Sequence, residues 1–231
     1  MLIDLAFALV LFHRFGRIGL HGMIVLAIIL CNIQVLKIVE MFGLVATLGN
    51  ILYGSIFFAT DVLGEVYGKR EAKRGVWLGF AALIVTTVVM QLAIRFKPHE
   101  SDFIQPALQQ IFSLLPRIAA ASLTAYVISQ LHDVWAFHFW KARTRGKHLW
   151  LRNNASTWVS QLIDTVVFTF IAFVGVFPRS VLLQICLTTY LFKLIVAAVD
   201  TPFIYAARKI AKAKGIGAEP EALQRVAAQI G

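Results

Sequence analysis

The sequence predicts an all-α, polytopic membrane protein in which a short N-terminal helix precedes a six-helix transmembrane bundle. Of the 231 residues, 59% are hydrophobic and only 15% are charged, whereas soluble domains have about 45–50% apolar and about 25% charged residues. The mean hydropathy is +0.76. So few polar residues cannot cover a water-exposed surface, and the composition therefore argues strongly against a soluble globular protein.

Six long apolar stretches approach the length of a spanning helix, which needs about 20 residues. They cover residues 20–38, 44–65, 75–96, 117–137, 157–177 and 181–206. An earlier apolar run, 1–12, is too short to cross comfortably and predicts a short extra helix. The proline-containing stretch 97–116 is compatible with a short helix on the outer surface. The predicted division is an N-terminal helix (1–15), a transport domain (16–208) and a basic tail (209–231).

The Lys and Arg residues alternate between the connections as the positive-inside rule requires. Of the 22 Lys and Arg residues, 16 lie in four alternate segments, namely 13–19, 66–75, 138–156 and 207–231. The other connections hold five. This pattern predicts that those four segments, and with them the C-terminus, are cytoplasmic. Because topology explains the net charge of +10, we expect the lipid bilayer as partner and no nucleic acid.

Charged side chains inside the apolar stretches cost roughly 2.5–3.5 kcal/mol each, so they usually face a bundle interior or a watered cavity. The charged residues in or near these stretches are Asp61, Asp133, Asp164, Lys193 and Asp200. Uncharged polar residues accompany them, among them Asn32, Gln130 and Gln161. On four stretches these residues recur at steps of three and four with aromatic residues such as Phe57 and Trp158, so each set shares a helix face. Four such faces predict a small-molecule cavity.

A five-residue string occurs twice, as Ser-Gln-Leu-His-Asp at 129–133 and as Ser-Gln-Leu-Ile-Asp at 160–164. In an antiparallel helix pair the two copies could face each other. Purely structural roles are the alternatives for the charged residues. Lys193 can neutralise Asp164 or Asp200 and hold two helices together. Asp61 and Glu65 can instead pair with Lys69 or Arg70 of the basic segment.

The sequence offers no catalytic or metal-binding set. Cys31 and Cys186 lie 155 positions apart in apolar runs and form neither a disulfide framework nor a spaced ligand set. No phosphate-binding loop, His-Glu-x-x-His or Gly-x-Ser-x-Gly motif occurs. We therefore expect no metal, no cofactor and no enzymatic activity, with a membrane-embedded enzyme as the remote alternative.

Several separated blocks resemble the queuosine precursor transporter family. They are Phe58-Ala59-Thr60-Asp61, Glu65 to Lys69, Arg117 to Ser122 with Gln130 and Asp133, Gln161 with Asp164-Thr165, and Lys193 with Asp200-Thr201-Pro202. The resemblance extends from about Asn32 to Tyr205. It implies uptake of 7-cyano- and 7-aminomethyl-7-deazaguanine across the bacterial inner membrane. The family is also similar to the six-helix substrate-binding subunits of energy-coupling-factor vitamin transporters, without their ATPase.

The resemblance implies roles for the candidate residues. A carboxylate accepts two adjacent donors, so Asp164 or Asp61 suits the NH and amine edge of a deazaguanine. Lys193 would balance the buried carboxylates or reach the ring carbonyl. The other candidates would read ring positions, stack on the ring or close the cavity: Asn32, Phe57, Gln130, Asp133, Trp158, Gln161 and Asp200. The preferred deazaguanine, the coupling to protons and the oligomeric state are left open, and another flat heterocycle, such as a vitamin or purine, is the alternative cargo.

Overall fold

The computed structural model describes residues 2–41, 43–143, 149–199 and 201–216. Over these residues the chain is mostly helical, with one antiparallel pair of short strands. In chain order the elements are α1 (Leu2–Phe15), α2 (Arg17–Gln34), β1 (Ile38–Met41), β2 (Leu44–Thr47), α3 (Asn50–Tyr67), α4 (Lys69–Ala93), α5 (Gln105–Phe112), α6 (Leu115–Arg143), α7 (Leu149–Phe173), α8 (Arg179–Val199) and α9 (Thr201–Ala213).

Four segments of the described chain are long and apolar enough to cross a membrane. They are Arg17–Gln34, Lys69–Ala93, Gln105–His132 and Arg179–Val196. The apolar part of α7, Trp158–Phe173, is shorter, and α3 carries two carboxylates, Asp61 and Glu65, within 18 residues. The protein is therefore a mostly helical multi-pass membrane protein with four candidate spans, and the count of six stays a prediction.

Large apolar side chains cover the outer faces of these helices. On α4, Trp77, Val85, Val88 and Val89 are all more than half exposed, as is Phe7 on α1. An aqueous surface rarely carries so much contiguous apolar area. These faces are suited to contact with acyl chains.

The hairpin of β1 and β2 corrects the all-α prediction. The apolar stretch 44–65 was expected to be helical throughout, but its first four residues form β2, in the register Ile38↔Thr47 to Met41↔Leu44, and α3 begins only at Asn50. Two glycines explain the difference. Gly43 has a φ of +77°, which favours glycine in the turn, and a Cβ on Gly49 would lie 2.5 Å from the Cys31 carbonyl oxygen.

Side chains of α8 hold the outer edge of this hairpin. Leu48 N–H donates to the Lys37 carbonyl at 2.9 Å, which makes these two residues a hydrogen-bonded pair of the ladder. Because hydrogen-bonded and non-hydrogen-bonded pairs alternate in an antiparallel ladder, the N–H and C=O of Val45 point away from β1. The one hydrogen of Thr188 Oγ1 is shared between the Val45 carbonyl at 2.9 Å and the Gln184 carbonyl of its own helix at 2.8 Å. Val45 N–H donates to Gln184 Oε1 at 3.4 Å. Two residues one helical turn apart thus satisfy both backbone groups of one strand residue.

The chain divides into two compact units, which we describe separately. Unit 1 comprises Met1–Leu30, Ile51–Ala82 and Ile195–Gly231, and unit 2 comprises Cys31–Asn50 and Leu83–Leu194. In unit 1, Phe12 and Phe58 are fully buried and make edge contacts with Tyr67 and Phe203, at ring-centroid distances of 6.5 and 6.3 Å.

The described core of unit 2 includes an apolar cluster, to which the chain after α2 and helices α6, α7 and α8 contribute. Its buried members are Val35, Ile118, Ala121, Ala125, Phe168, Ala172, Phe173 and Ile185. Ile38 and Val45 of the hairpin pack against the same cluster. Non-helical backbone is tolerated at membrane depth where protein surrounds it or it lines a cavity, and here the hairpin is anchored both by this packing and by α8.

Candidate substrate-binding site

An ion pair between Asp164 on α7 and Lys193 on α8 is the centre of the candidate site. Lys193 Nζ donates to Asp164 Oδ2, and the side chains are only 6% and 17% exposed. On α6, Ser129 Oγ lies 3.4 Å from the other oxygen, Oδ1, and its one hydrogen is shared between that oxygen and the Tyr126 carbonyl at 3.1 Å. Buried charges are tolerated when they are paired and hydrogen-bonded. Three helices of unit 2 therefore converge on one carboxylate.

The two copies of the repeated string lie against each other, as an antiparallel pair allows. Ser129 of the first copy contacts Asp164 of the second, while His132 Nδ1 and Ser160 Oγ lie 2.9 Å apart. These two contacts fix the register between α6 and α7 near the ion pair.

Arg117, near the start of α6, fixes the opposite end of the same helix pair. Its guanidinium donates from Nε to the Ile171 carbonyl and from Nη2 to the Val174 carbonyl, both at 2.6 Å. The last carbonyls of a helix have no partner within the helix, so this arginine satisfies groups that would otherwise be unpaired. Asp164 is thereby carried on a helix held at two points along its length.

Two asparagines extend the polar network of unit 2. Asn32, which is buried, accepts a hydrogen bond at its Oδ1 from Ser122 Oγ at 2.6 Å. Asn50 Nδ2 donates to Thr189 Oγ1 at 2.9 Å. Thr189 lies one helical turn before Lys193, so both residues occupy the same face of α8.

The other predicted residues of unit 2 differ in burial. Gln161 lies one turn before Asp164, and its Oε1 is buried with no hydrogen-bond partner among the described residues. Trp158 is 56% exposed, and its carbonyl accepts a hydrogen bond from Tyr190 at 3.4 Å. Gln130 is exposed. The structure thus joins Asp164 and Lys193 directly, with Gln161 beside them.

Four predicted residues belong to unit 1 or lie outside the described residues. Phe57 and Asp61 lie on α3 within unit 1, where Phe57 is half-buried and Asp61 is exposed. Phe57 contacts Tyr53, with ring centroids 5.9 Å apart. The side chain of Asp133 and the whole of Asp200 lie outside the described residues.

Sequence reasoning omitted the hydroxyl residues of the site, Ser122, Ser129 and Thr189. A usable signal existed for two of them, because Ser129 opens the repeated string and Thr189 precedes Lys193 by four residues. Ser122 needed the contact with Asn32, which lies 90 positions away in the chain.

Two open grooves lie elsewhere, and neither is lined by a candidate residue. One, of about 650 Å³, lies beside α5, and the other, of about 350 Å³, lies between α1 and α9. Within the described residues, no three His, Cys, Asp or Glu side chains are grouped to hold a metal. We base the site on the buried charged network, because paired charges inside a membrane protein usually mark a functional position.

A multi-pass helical fold with charged residues buried between its helices is typical of a membrane transporter. The comparisons agree: the family of putative vitamin uptake transporters matches residues 47–207. A probable queuosine precursor transporter of Bacillus subtilis (strain 168) is 47% identical over 210 residues, covering 90% of this chain and 92% of the relative.

More distant relatives carry the same name. A queuosine precursor transporter of Escherichia coli (strain K12) is 30% identical over 165 residues, covering 70% of this chain and 72% of the relative. A probable queuosine precursor transporter of Haemophilus influenzae (strain ATCC 51907 / DSM 11121 / KW20 / Rd) is 32% identical, covering 68% and 66%. No solved structure matches the chain. The chain belongs to the queuosine precursor transporter family, whose members are transporters and not enzymes.

Proposed function

We propose that this protein imports queuosine precursors, 7-cyano-7-deazaguanine and 7-aminomethyl-7-deazaguanine, for queuosine salvage. The observation that carries the proposal is the buried network of Asp164, Lys193 and Ser129 in a chain of this family. Family membership supports the cargo, and the network supplies groups with the chemistry that a deazaguanine requires.

Asp164 binds the donor edge of the base. An ionised carboxylate has about four lone-pair sites, and Lys193 and Ser129 occupy one on each oxygen. The remaining sites suit the ring NH and the exocyclic amine, which lie side by side. Substrate binding therefore does not require the ion pair to break.

Lys193 and Gln161 complete the recognition of the ring edge. Lys193 balances the charge of Asp164, and its ammonium group is the kind of donor that the ring carbonyl requires. The buried Gln161 Oε1 is an acceptor for a further ring NH. Adenine presents the reverse order of donors and acceptors, and it is rejected because buried polar groups would be left unpaired.

The remaining candidates have supporting roles in this proposal. Trp158 stacks on a ring face, and Asn32 closes the cavity. The sequence predicts the same stacking role for Phe57. The other side chains, Asp61, Gln130, Asp133 and Asp200, provide further polar contacts along the path. These assignments rest on the shared helix faces in the sequence.

The protein is proposed to lie in the bacterial inner membrane as six spans, with its C-terminus and basic segments in the cytoplasm. The excess of Lys and Arg in alternate connections supports this orientation. Transport by facilitated diffusion with trapping inside the cell needs no ion. Equal uptake with and without a proton-gradient uncoupler is the expected result, and loss of uptake with the uncoupler would instead indicate proton coupling.

A competition experiment on purified protein in proteoliposomes tests the proposed cargo. Uptake of labelled 7-cyano-7-deazaguanine is measured against unlabelled 7-aminomethyl-7-deazaguanine, queuine, guanine and adenine. We expect competition by the two precursors and none by adenine. Stronger competition by a vitamin such as riboflavin would identify another flat heterocycle as the cargo. A vitamin is included because the description of the matching family names vitamin uptake. A chemically altered base inside the vesicles would indicate an enzyme.

A further inference from the structure

The groove between α1 and α9 belongs to unit 1 and has no part in the proposed transport site. It has a volume of about 350 Å³ and is lined by His13, Ala206, Lys209, Ile210, Ala213 and Lys214. Three of these residues provide an apolar wall, and the other three carry nitrogen groups. The atoms that line the groove are almost all carbon, so the two lysines line it with their aliphatic stems, and their ammonium groups form a basic rim beyond this apolar wall.

Helix α9 is amphipathic, with Ala207 and Ala211 on its buried face and Lys209 and Lys212 on its exposed face. A helix with a basic polar face and an apolar opposite face is suited to the membrane interface. Helix α1 has an exposed apolar face that includes Phe7 and ends at a basic pair, His13 and Arg14. Helix α1 thus changes from an exposed apolar face to a basic end beside the groove, which is the pattern suited to the membrane interface.

The rim lysines retain their capacity to bind an anion. Arg208, next to Lys209, is paired with Glu65 at 2.6 Å, but no carboxylate of the described residues pairs with Lys209 or Lys214. Lys214 donates one hydrogen bond to the His13 carbonyl, which leaves two of its three donors available.

We propose that this groove binds one anionic phospholipid. Its acyl chain lies along Ala206, Ile210 and Ala213, and its phosphate accepts hydrogen bonds from Lys209 and Lys214. A free phosphate would gain nothing from the apolar wall, and a neutral lipid would gain less from the basic rim. Because it has both an apolar wall and a basic rim, the groove binds an anionic lipid better than it binds free phosphate or a neutral lipid.

The test uses the full-length protein purified in detergent, with dioleoylphosphatidylglycerol and dioleoylphosphatidylcholine as probes. Retained lipid is counted by native mass spectrometry, and thermal stabilisation is measured across a lipid titration. We expect the wild-type protein to retain one phosphatidylglycerol. Since each lysine near a lipid surface contributes appreciably to anionic-lipid binding, Lys209→Gln with Lys214→Gln should weaken retention roughly 30-fold.

Two matched controls separate a built site from general attraction. Lys69→Gln with Lys73→Gln removes the same charge from exposed residues of α4 in the same unit and should change retention less than twofold. Ala206→Trp fills the groove without changing charge and should abolish retention, whereas Ala81→Trp, at an exposed position of α4, should not.

Four results would overturn the proposal. They are equal loss in the two double-lysine variants, equal retention of phosphatidylcholine, displacement of the lipid by millimolar inorganic phosphate, and retention only after residues 217–231 are removed. The last would show that the chain's own end occupies the groove.

Discussion

Asp164 is held by residues of two different helices, Ser129 on α6 and Lys193 on α8. Its two oxygens each have one partner, so the carboxylate is oriented while part of its accepting capacity stays free. If the ion pair only joined two helices, replacing both of its residues by apolar ones would not lower the stability of the fold. A substrate site would lose its binding, and this difference can be measured.

The first prediction concerns the single variants Asp164→Asn and Lys193→Met and their combination. Each single change breaks the buried ion pair and should reduce the free energy of unfolding by about 3–5 kcal/mol. The combination removes both charges and should recover stability but not uptake, because a carboxamide cannot accept two donors as a carboxylate does. Thermal unfolding and deazaguanine uptake are measured on all three variants.

Glu65 and Arg208 provide a matched control pair in unit 1. Their side chains are 46% and 55% exposed, so Glu65→Gln with Arg208→Met should cost less than about 1 kcal/mol and leave uptake near normal. Near-normal uptake in the combined Asp164 and Lys193 variant would remove Asp164 from the site.

Local spacing predicted some of these contacts and missed others. The two copies of the repeated string could face each other in an antiparallel pair, and Ser129 of one copy does contact Asp164 of the other. Pairing of Lys193 with Asp164 was one of the structural alternatives. The pairing of Glu65 with Lys69 or Arg70, one of the structural alternatives, was wrong, because the structure pairs Glu65 with Arg208. Spacing along the sequence carries no information on so distant a partner.

Among the elements, the hairpin shows why an apolar stretch is ambiguous. Leu44 to Thr47 continues without interruption into the apolar residues of α3, and a short apolar run fits either a strand or a buried helix segment. What decides for a strand is the turn at Gly43, the close approach at Gly49 and the side chains of α8. Only the glycines could have been read from the sequence.

The second prediction tests the attachment of this hairpin. Thr188→Val removes the donor to the Val45 carbonyl, which is left without that partner at a cost of about 1–3 kcal/mol. Amides of residues 38–47 should then exchange hydrogen faster, and the melting temperature should fall. Thr169→Val is the control, because Thr169 is equally buried but its hydroxyl has no partner among the described residues. Equal effects of the two changes would contradict the assigned contact.

The third prediction concerns α1. This helix contributes Leu5, Ala8 and Phe12 to buried positions of unit 1, whereas the proposed ion-pair site lies in unit 2. Deleting residues 2–12 should therefore lower the folding yield and melting temperature while leaving the affinity of the folded fraction within about twofold. A well-folded deletion protein without substrate binding would contradict this expectation.

At the scale of the whole molecule, the fourth prediction concerns orientation in the membrane. In a variant with Cys31 and Cys186 replaced by serine, a single cysteine at Ser101 should react with an impermeant thiol reagent in intact cells. A cysteine at Lys73, an exposed position of α4, should react only after the membrane is permeabilised. The reverse pattern would overturn the orientation inferred from the basic segments.

Composition was enough to predict a helical membrane protein, since apolar content and the alternation of charge are properties of the whole chain. The number of spans did not follow as directly. Asp61 and Glu65 make α3 too polar to be identified by hydropathy, and the described apolar part of α7 is short. Polar residues inside a helix bundle therefore lower the mean hydropathy by which spanning helices are recognised.

Helix α8 gives the hairpin a mechanical role. Thr188, which holds β2, and Lys193, which holds Asp164, are five residues apart on one rigid helix, or about 7.5 Å along its axis. A movement of α8 large enough to displace one must displace the other. If the hairpin moves away from α8, the two hydrogen bonds at Val45 must break. If it instead moves together with α8, Lys193 moves too, and the ion pair with Asp164 is disturbed.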